Sequence, residues 1–267
     1  MSATLSSVAK EEFDSEVKHA YQGEKSLRDT VTVRNNVVGD KYDFRLMGKG
    51  IATARTGSSA DVVPMNITHA VKVATLEDYE APEYTDVYDQ KTVNFDEVRE
   101  LATTIAKAMG RRDDQSIITA LSGSTNVAPA ATTLNLAAIT GAAKLLNKND
   151  VPMENRYFVT DEEGLNDLLN DAEITSADYN SVRLLMSGDI DSFMGFKWKT
   201  IGSGRAEGGL GGFNYAYHKN AIGHAVGIDM RTKVDYVAHK ASWLSMGLWK
   251  AGSVAIDAEG IVKIPRT

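Results

Sequence analysis

Six glycines fall within the eleven residues GSGRAEGGLGG, 202–212. A glycine-rich run beside a strand is where backbone amides can wrap around phosphate, and that chemistry has strict requirements. A P-loop needs G-x-x-x-x-G-K-[ST], whose lysine and hydroxyl reach phosphate and magnesium, and no Gly-Lys-Ser/Thr occurs in the chain. A dinucleotide fingerprint needs a third glycine and a following helix whose N-terminus faces the pyrophosphate. Here Gly202 and Gly204 are followed by Glu207 in place of that glycine, and the next segment, FNYAYHK, reads as extended. The run therefore reads as a flexible connection between the strands FKWKTI and FNYAYHK.

The other chemistry-bearing types give no stronger signal. There is no cysteine, which removes thiolate catalysis, disulfides and zinc–thiolate sites. The histidines are His19, His69, His218, His224 and His239. On one continuous strand His218 and His224 share a face but stand about 20 Å apart, too far to share a metal. A turn near 219–223 would instead oppose them, but no carboxylate sits at ligand spacing, so structural or surface roles are expected. SGDIDSFMG superficially resembles a calcium loop, yet Phe193 takes a ligand position and the closing bidentate glutamate is missing. DEEGLNDLLND reads as a capped helix after Thr160, its acids on the first turn and a solvated face. No G-x-S-x-G elbow or recognisable triad is present. The reading is a non-enzyme with neither cofactor nor metal.

Twenty-nine basic against 36 acidic residues give a net charge of −7 over 267 residues, which argues against a dedicated nucleic-acid binder but not against an assembly that encloses nucleic acid. The run RRDD, 111–114, is expected on a solvated helix face. No apolar signal core and no stretch of about 18 apolar residues occurs, so no membrane partner and folding in a reducing cytoplasm are expected.

Residues 1–40 are polar, with a short helix expected around 11–22 on the Val17, Ala20 and Tyr21 side, and too little apolar surface to close a core. KYDFRLMG and ITHAVKVATL alternate like strands around GKGIATARTGSSADVVPMN, which predicts a projecting hairpin with an irregular tip. Asn94, with Asp96 and Glu97 behind it, reads as the N-cap of a long helix. Val98, Leu101, Ile105, Ala108 and Met109 continue that helix to about Leu121, with a bend allowed at Gly110. After a linker at 122–133 come a helix from about 133 to 147, the strand RYFVT, helices at DEEGLNDLLND and SADYNSVRLLMSG, and FKWKTI. FNYAYHKNAIGHAVG reads as a strand or hairpin, followed by KVDYVA, SWLSMGLWKAGSVAI, a turn at DAEG, and IVKI.

Several of these segments resemble one family over nearly the whole chain and in order. LEDYEAPEYTDVYDQKTVNFDEVRELATTIAKAMGRRDDQSIITAL is similar to the approach and body of the spine helix of tailed-phage major capsid proteins. NKNDVPMENRYFVT resembles their Asn-x-Val-Pro…Arg-x-x-Val segment. YNSVRLLMSGDIDSFMGFKWKTIG, YHKNAIGHAVG and VDYVAHKASWLSMGLWKAGSVAID match them too. The resemblance implies an α+β, Hong Kong 97-like capsid fold. Its parts would be an N-arm (1–40), an E-loop (41–75), a peripheral domain with the spine helix (76–126), an axial domain (127–229) and a peripheral return sheet (230–267).

The implied function is a major capsid protein that assembles into pentamers and hexamers of an icosahedral head around double-stranded DNA. It would be built in the host bacterial cytoplasm and located in the virion. Implied partners are other copies of the chain, a scaffolding protein, a portal, a decoration protein, and DNA contacted weakly. No long scaffolding extension precedes the arm, which implies a separate scaffolding protein or an already removed segment. Candidate inter-subunit contacts are Arg45, Lys49, Arg55, Asp61 and Met65. Gly202, Gly204, Arg205, Glu207 and Gly208 would form a loop at the capsomer axis, and Arg111 and Arg112 are the DNA-facing candidates. An encapsulin-type compartment shell and a phosphate-binding α/β enzyme are the alternatives.

Overall fold

A computed structural model describes residues 26–59, 61–88, 97–129, 133–171 and 192–266. The expected helices at 11–22 and 176–188, and the Asn94 cap, lie outside them.

The chain builds two sheets and a separate hairpin. The hairpin pairs β2 (Lys41–Met47) with β3 (His69–Thr75) antiparallel, and the tip between them carries no strand. A four-stranded sheet has the order β1 (Thr32–Arg34), β9 (Ile222–Val237), β10 (Ser242–Ala255), β4 (Glu77–Asp86). A five-stranded sheet has the order β11 (Ile261–Pro265), β8 (Phe213–His218), β5 (Arg156–Thr160), β7 (Phe196–Thr200), β6 (Ser192–Phe193). β4 is a strand that the sequence pattern hides. It carries five acids, namely Glu77, Asp78, Glu80, Glu83 and Asp86, and Pro82 interrupts its alternation. It is tolerated because it is an edge, where a proline's missing N–H faces no partner strand.

Two readings of connectivity change. FNYAYHKNAIGHAVG is not a hairpin: a short 3₁₀ turn at Lys219–Ala221 carries the chain from β8 in one sheet to β9 in the other. Ile261–Pro265 does not join the returning sheet but pairs with β8. Its Ile261, Val262 and Ile264 are buried, and burying them requires the five-stranded sheet, covered on both faces.

The helix α1 (Glu97–Ser122) runs unbroken through Gly110, about 39 Å at 1.5 Å per residue, and spans both sheets. Ile105 and Met109 pack with Val226, Trp249 and Ala251 of the four-stranded sheet. Two turns on, Ile117, Ile118 and Leu121 pack under Tyr157, Val159, Tyr215 and Tyr217 of the five-stranded sheet. The opposite face of that sheet is covered by α2 (Leu136–Lys148), through Ile139, Ala142 and Leu146, and by Leu168 of α3 (Glu162–Asn170). Phe158 and Trp198 stack there with centroids 4.2 Å apart. Every residue of β5 is therefore buried, which accounts for its nearly unbroken apolar run.

The helix ends obey local chemistry with small shifts from the sequence reading. Asn135 caps α2 by accepting from the Ala138 N–H. Asp161, not Thr160, caps α3 through the Gly164 N–H. The carboxylate is the stronger acceptor there, and Thr160 Oγ1 donates instead to Asn214 Oδ1 at 2.9 Å.

Candidate functional site

The glycine run lies where expected, between β7 and β8, but its polar residues are tied to α1. Arg205 Nη1 meets Asp114 Oδ2 at 2.7 Å, and both side chains are buried. Asp114 also accepts from the N–H groups of Ser26 and Leu27 at 2.9–3.0 Å. Glu207 Oε2 accepts from Arg111 Nε at 2.7 Å. Burial alone would raise the Glu207 carboxyl, but the Arg111 hydrogen bond and backbone donation outweigh it and hold it below the ordinary carboxylate value. Ser203 donates to Glu162, and Gly208, at φ +111°, passes beside the Gln115 amide. Leu210 is buried with Ile201 in the core. The run is thus a fastened crossing, not a free connection.

The same contacts overturn the solvated reading of RRDD. Asp113 and Asp114 are both fully buried. They lie where α1 passes from one sheet to the other, a seam that apolar ridges do not fill. On one side of it Asp114 binds the loop and the chain at Ser26. On the other, Asp113 Oδ1 stands 3.1 Å from His224 Nε2, His224 Nδ1 is 2.9 Å from Ser253 Oγ, and Ser253 Oγ is 2.9 Å from Ser116 Oγ. A carboxylate thus stands beside His224 after all. Residue spacing gives no sign of it because the two are separated by more than a hundred positions. Arg111 is half-buried and paired with Glu207. Arg112 is exposed and lies 4.8 Å above the Tyr79 ring.

Residues 26–40 are not coreless. Leu27 and Val31 are buried with Tyr217 and Ile222, β1 pairs parallel to β9, and Thr30 Oγ1 meets the Tyr217 hydroxyl at 2.5 Å. The sequence hides this because the apolar positions involved, Leu27 and Val31 with the partly buried Val33 and Val37, are few and each meets a distant part of the chain.

The hairpin has two unlike faces. Tyr42, Phe44 and Leu46 with Ala74 pack onto Ala225 and Ile256. The reverse face brings Arg45 opposite Val71 and Asp43 opposite Val73. There Val71 is 54% exposed, Val73 45% and Met47 65%, far from the burial such side chains seek. Ile51, Val62, Val63 and Met65 at the tip are exposed as well. Lys49 Nζ donates to Glu259 at 2.7 Å and to the Asn149 carbonyl at 3.0 Å, both of its own chain, at an exposed position. Arg55 Nη2 donates to the Ser58 carbonyl, and Asp61 is exposed. Arg45, Met65 and Asp61 thus stand at the surface, while Lys49 and Arg55 are engaged locally.

Among the described residues no group of three or more His, Cys, Asp or Glu could hold a metal ion, and no helix is long and apolar enough to cross a membrane. The phosphate reading of the loop fails on geometry, since Arg205 is neutralised by Asp114 and a strand follows.

The comparisons agree with this architecture. No curated protein matches the chain by sequence. Among solved structures, a chain of the cyanophage P-SCSP1u capsid superimposes with a TM-score of 0.77 at 15% identity, covering 98% of this chain and 94% of that one. A chain from Mycobacterium phage Che8 gives 0.77 at 16%, covering 96% and 97%. The capsid of a native GTA particle gives 0.74 at 17%, covering 99% and 97%. At such identities the likeness establishes the fold, which is the Hong Kong 97-like one expected from the resemblance. The family model "Phage capsid protein" matches residues 5–267. The chain belongs to the phage capsid protein family.

Proposed function

We propose that the chain is the major capsid protein of a phage, a structural subunit whose copies form pentamers and hexamers and close into the icosahedral head around double-stranded DNA. The observation that carries this reading is the reverse face of the hairpin. Val71, Val73 and Met47 lie open beside Arg45, and a two-stranded element with an exposed apolar face is marginal unless another surface covers it. In a ring of identical chains that cover is the next copy, through a heterologous contact repeated around the axis.

In this reading the hairpin is the E-loop. The four-stranded sheet with the first half of α1 forms the peripheral part, and the five-stranded sheet, now including β11, forms the axial part. The N-arm is confined to residues 1–25. Arg45, Lys49, Arg55, Asp61 and Met65 serve the contact between copies, with Lys49 exchanging its solvent-screened partner Glu259 for one on a neighbour. The loop of Gly202, Gly204, Arg205, Glu207 and Gly208 faces the capsomer axis as a rigid rim. Of the two DNA-facing candidates, Arg112 is the exposed one and Arg111 is half-buried beside Glu207, consistent with weak, non-specific contact by an acidic chain. Scaffolding protein, portal and a decoration protein are the further partners, and assembly takes place in the host cytoplasm.

Negative-stain microscopy with sedimentation of the expressed chain tests the proposal. Closed shells or rings of five and six are expected. A chain that stays monomeric at every concentration, with scaffolding protein supplied, would refute it.

A further inference from the structure

The polar seam beneath α1 has a direction. His224 of β9 and Ser253 of β10 are directly opposed in the antiparallel ladder, so both side chains leave the sheet on one face. Asp113 and Ser116 lie one turn apart on the side of α1 that meets them. The four groups form a series. Asp113 Oδ1 is 3.1 Å from His224 Nε2, His224 Nδ1 is 2.9 Å from Ser253 Oγ, and Ser253 Oγ is 2.9 Å from Ser116 Oγ. Asp113 and His224 have no exposed surface, whereas Ser253 and Ser116 are half-buried. β4 stops pairing with β10 at Ala251, so no described strand flanks Ser253 on that edge. The series is therefore sealed at its carboxylate and open at its hydroxyls.

We infer that Ser253 is a nucleophile that accepts an acyl group from an activated ester, with His224 as its base and Asp113 as a positioning residue. A buried carboxylate is costly unless a partner faces it, and no other described residue donates to either oxygen of Asp113. Its charge holds the imidazole N–H on Nε2, which leaves the Nδ1 lone pair facing the Ser253 hydroxyl. General-base activation needs this arrangement: nucleophile and base within hydrogen-bond reach, and the base oriented by a third group. The two ring nitrogens exchange the roles they have in serine hydrolases, which leaves the proton transfer the same. Trp249 lies against the His224 ring, with centroids 6.4 Å apart, and helps to keep water from the base. In the step, Oγ bonds to the ester carbonyl carbon as its proton passes to Nδ1. The bond to the leaving alkoxide then breaks, and the alkoxide takes that proton. The products are an acylated serine and an alcohol, with His224 restored. The reaction is one acylation per chain, without turnover, as suits a structural subunit.

The full chain, unassembled, is treated with p-nitrophenyl acetate, and acetylation of each serine is followed by mass spectrometry of its peptides. Ser58, exposed at the hairpin tip, is the internal control for an unassisted hydroxyl. General-base assistance should acetylate Ser253 at least about a hundredfold faster than Ser58. In urea the two rates should converge, because the series exists only in the fold. His224→Gln should bring Ser253 down to the Ser58 rate, with circular dichroism confirming that the variant folds. Asp113→Asn should slow Ser253 while leaving Ser58 unchanged, and Asp113→Glu, which restores the charge, should recover part of the rate. Ser253 reacting no faster than Ser58 in the folded wild-type chain would overturn the inference and leave the seam a packing device. A fast rate that survives urea, or that survives His224→Gln, would overturn it too. The comparison of Ser253 with Ser58 needs no variant, so a substitution that fails to fold leaves the test intact. Its outcome is independent of shell formation, which microscopy reads separately.

Discussion

Asp114 receives the Ser26 and Leu27 amides and the Arg205 guanidinium at one carboxylate, with no exposed surface. Removing it strands a buried cation and two donors, a change that costs about 3–5 kcal/mol in comparable buried pairs. Asp114→Ala should therefore lower the denaturant midpoint strongly. Arg205→Met together with Asp114→Leu should recover part of that loss, because no charge is then left unpaired. His218 behaves differently. Burial depresses its imidazole below the ordinary value, and Nδ1 accepts from the Asn220 N–H, a bond that protonation at Nδ1 abolishes. Between its folded and unfolded pKa values the unfolded chain holds a proton that the fold refuses. Stability should thus fall as pH drops below about 6.5 and level off once pH passes the folded value. His218→Gln should flatten the urea midpoint over that window while leaving the acid limb, where Glu207, its carboxyl held below the ordinary value by Arg111, protonates.

At the scale of elements, α1 is fixed by how closely it lies on β10. A Cβ on Gly247 would strike Met109 Sδ and stand 2.6 Å from Ile105 Cγ2. On Gly252 it would strike the Thr75 carbonyl, which is backbone and cannot turn aside. Gly252→Ala should therefore be the worse of the two, since its clash is both tighter and with backbone, whereas Met109 can change rotamer. Thermal denaturation of both variants checks the order, and the reverse order would show that β10 shifts more easily than α1. The heptad-like pattern Ile105, Met109 predicts that this helix exists. It does not reveal that Ile117 and Leu121 serve a second sheet, or that the polar positions between them fill a seam. Periodicity reports one face of a helix, and here the partner of that face changes midway.

For the whole molecule, deleting residues 1–25 and deleting 48–66 should have a common result: a folded chain that no longer forms normal particles. Deleting 1–40 should instead fail to fold, because it removes Leu27, Val31 and β1 from the core. Circular dichroism separates folding from assembly, and microscopy reads the particles. Normal shells from the 48–66 deletion would remove the hairpin tip from the contact between copies.

The order of segments and the hairpin were legible in the sequence, because local periodicity and turn residues are local facts. Tertiary structure alone decided what those facts meant. It placed β11 in the five-stranded sheet, exposed Val71 and Val73 on the reverse of the hairpin, and made a strand of the acid-rich Glu77–Asp86. Most of all, it turned GSGRAEGGLGG from a loose loop into a clasp. Arg205 and Asp114 are separated by 91 residues, and an ion pair across that distance leaves no local pattern. Burial and pairing depend on what the fold brings together, and only the closed fold brings these two charges to 2.7 Å.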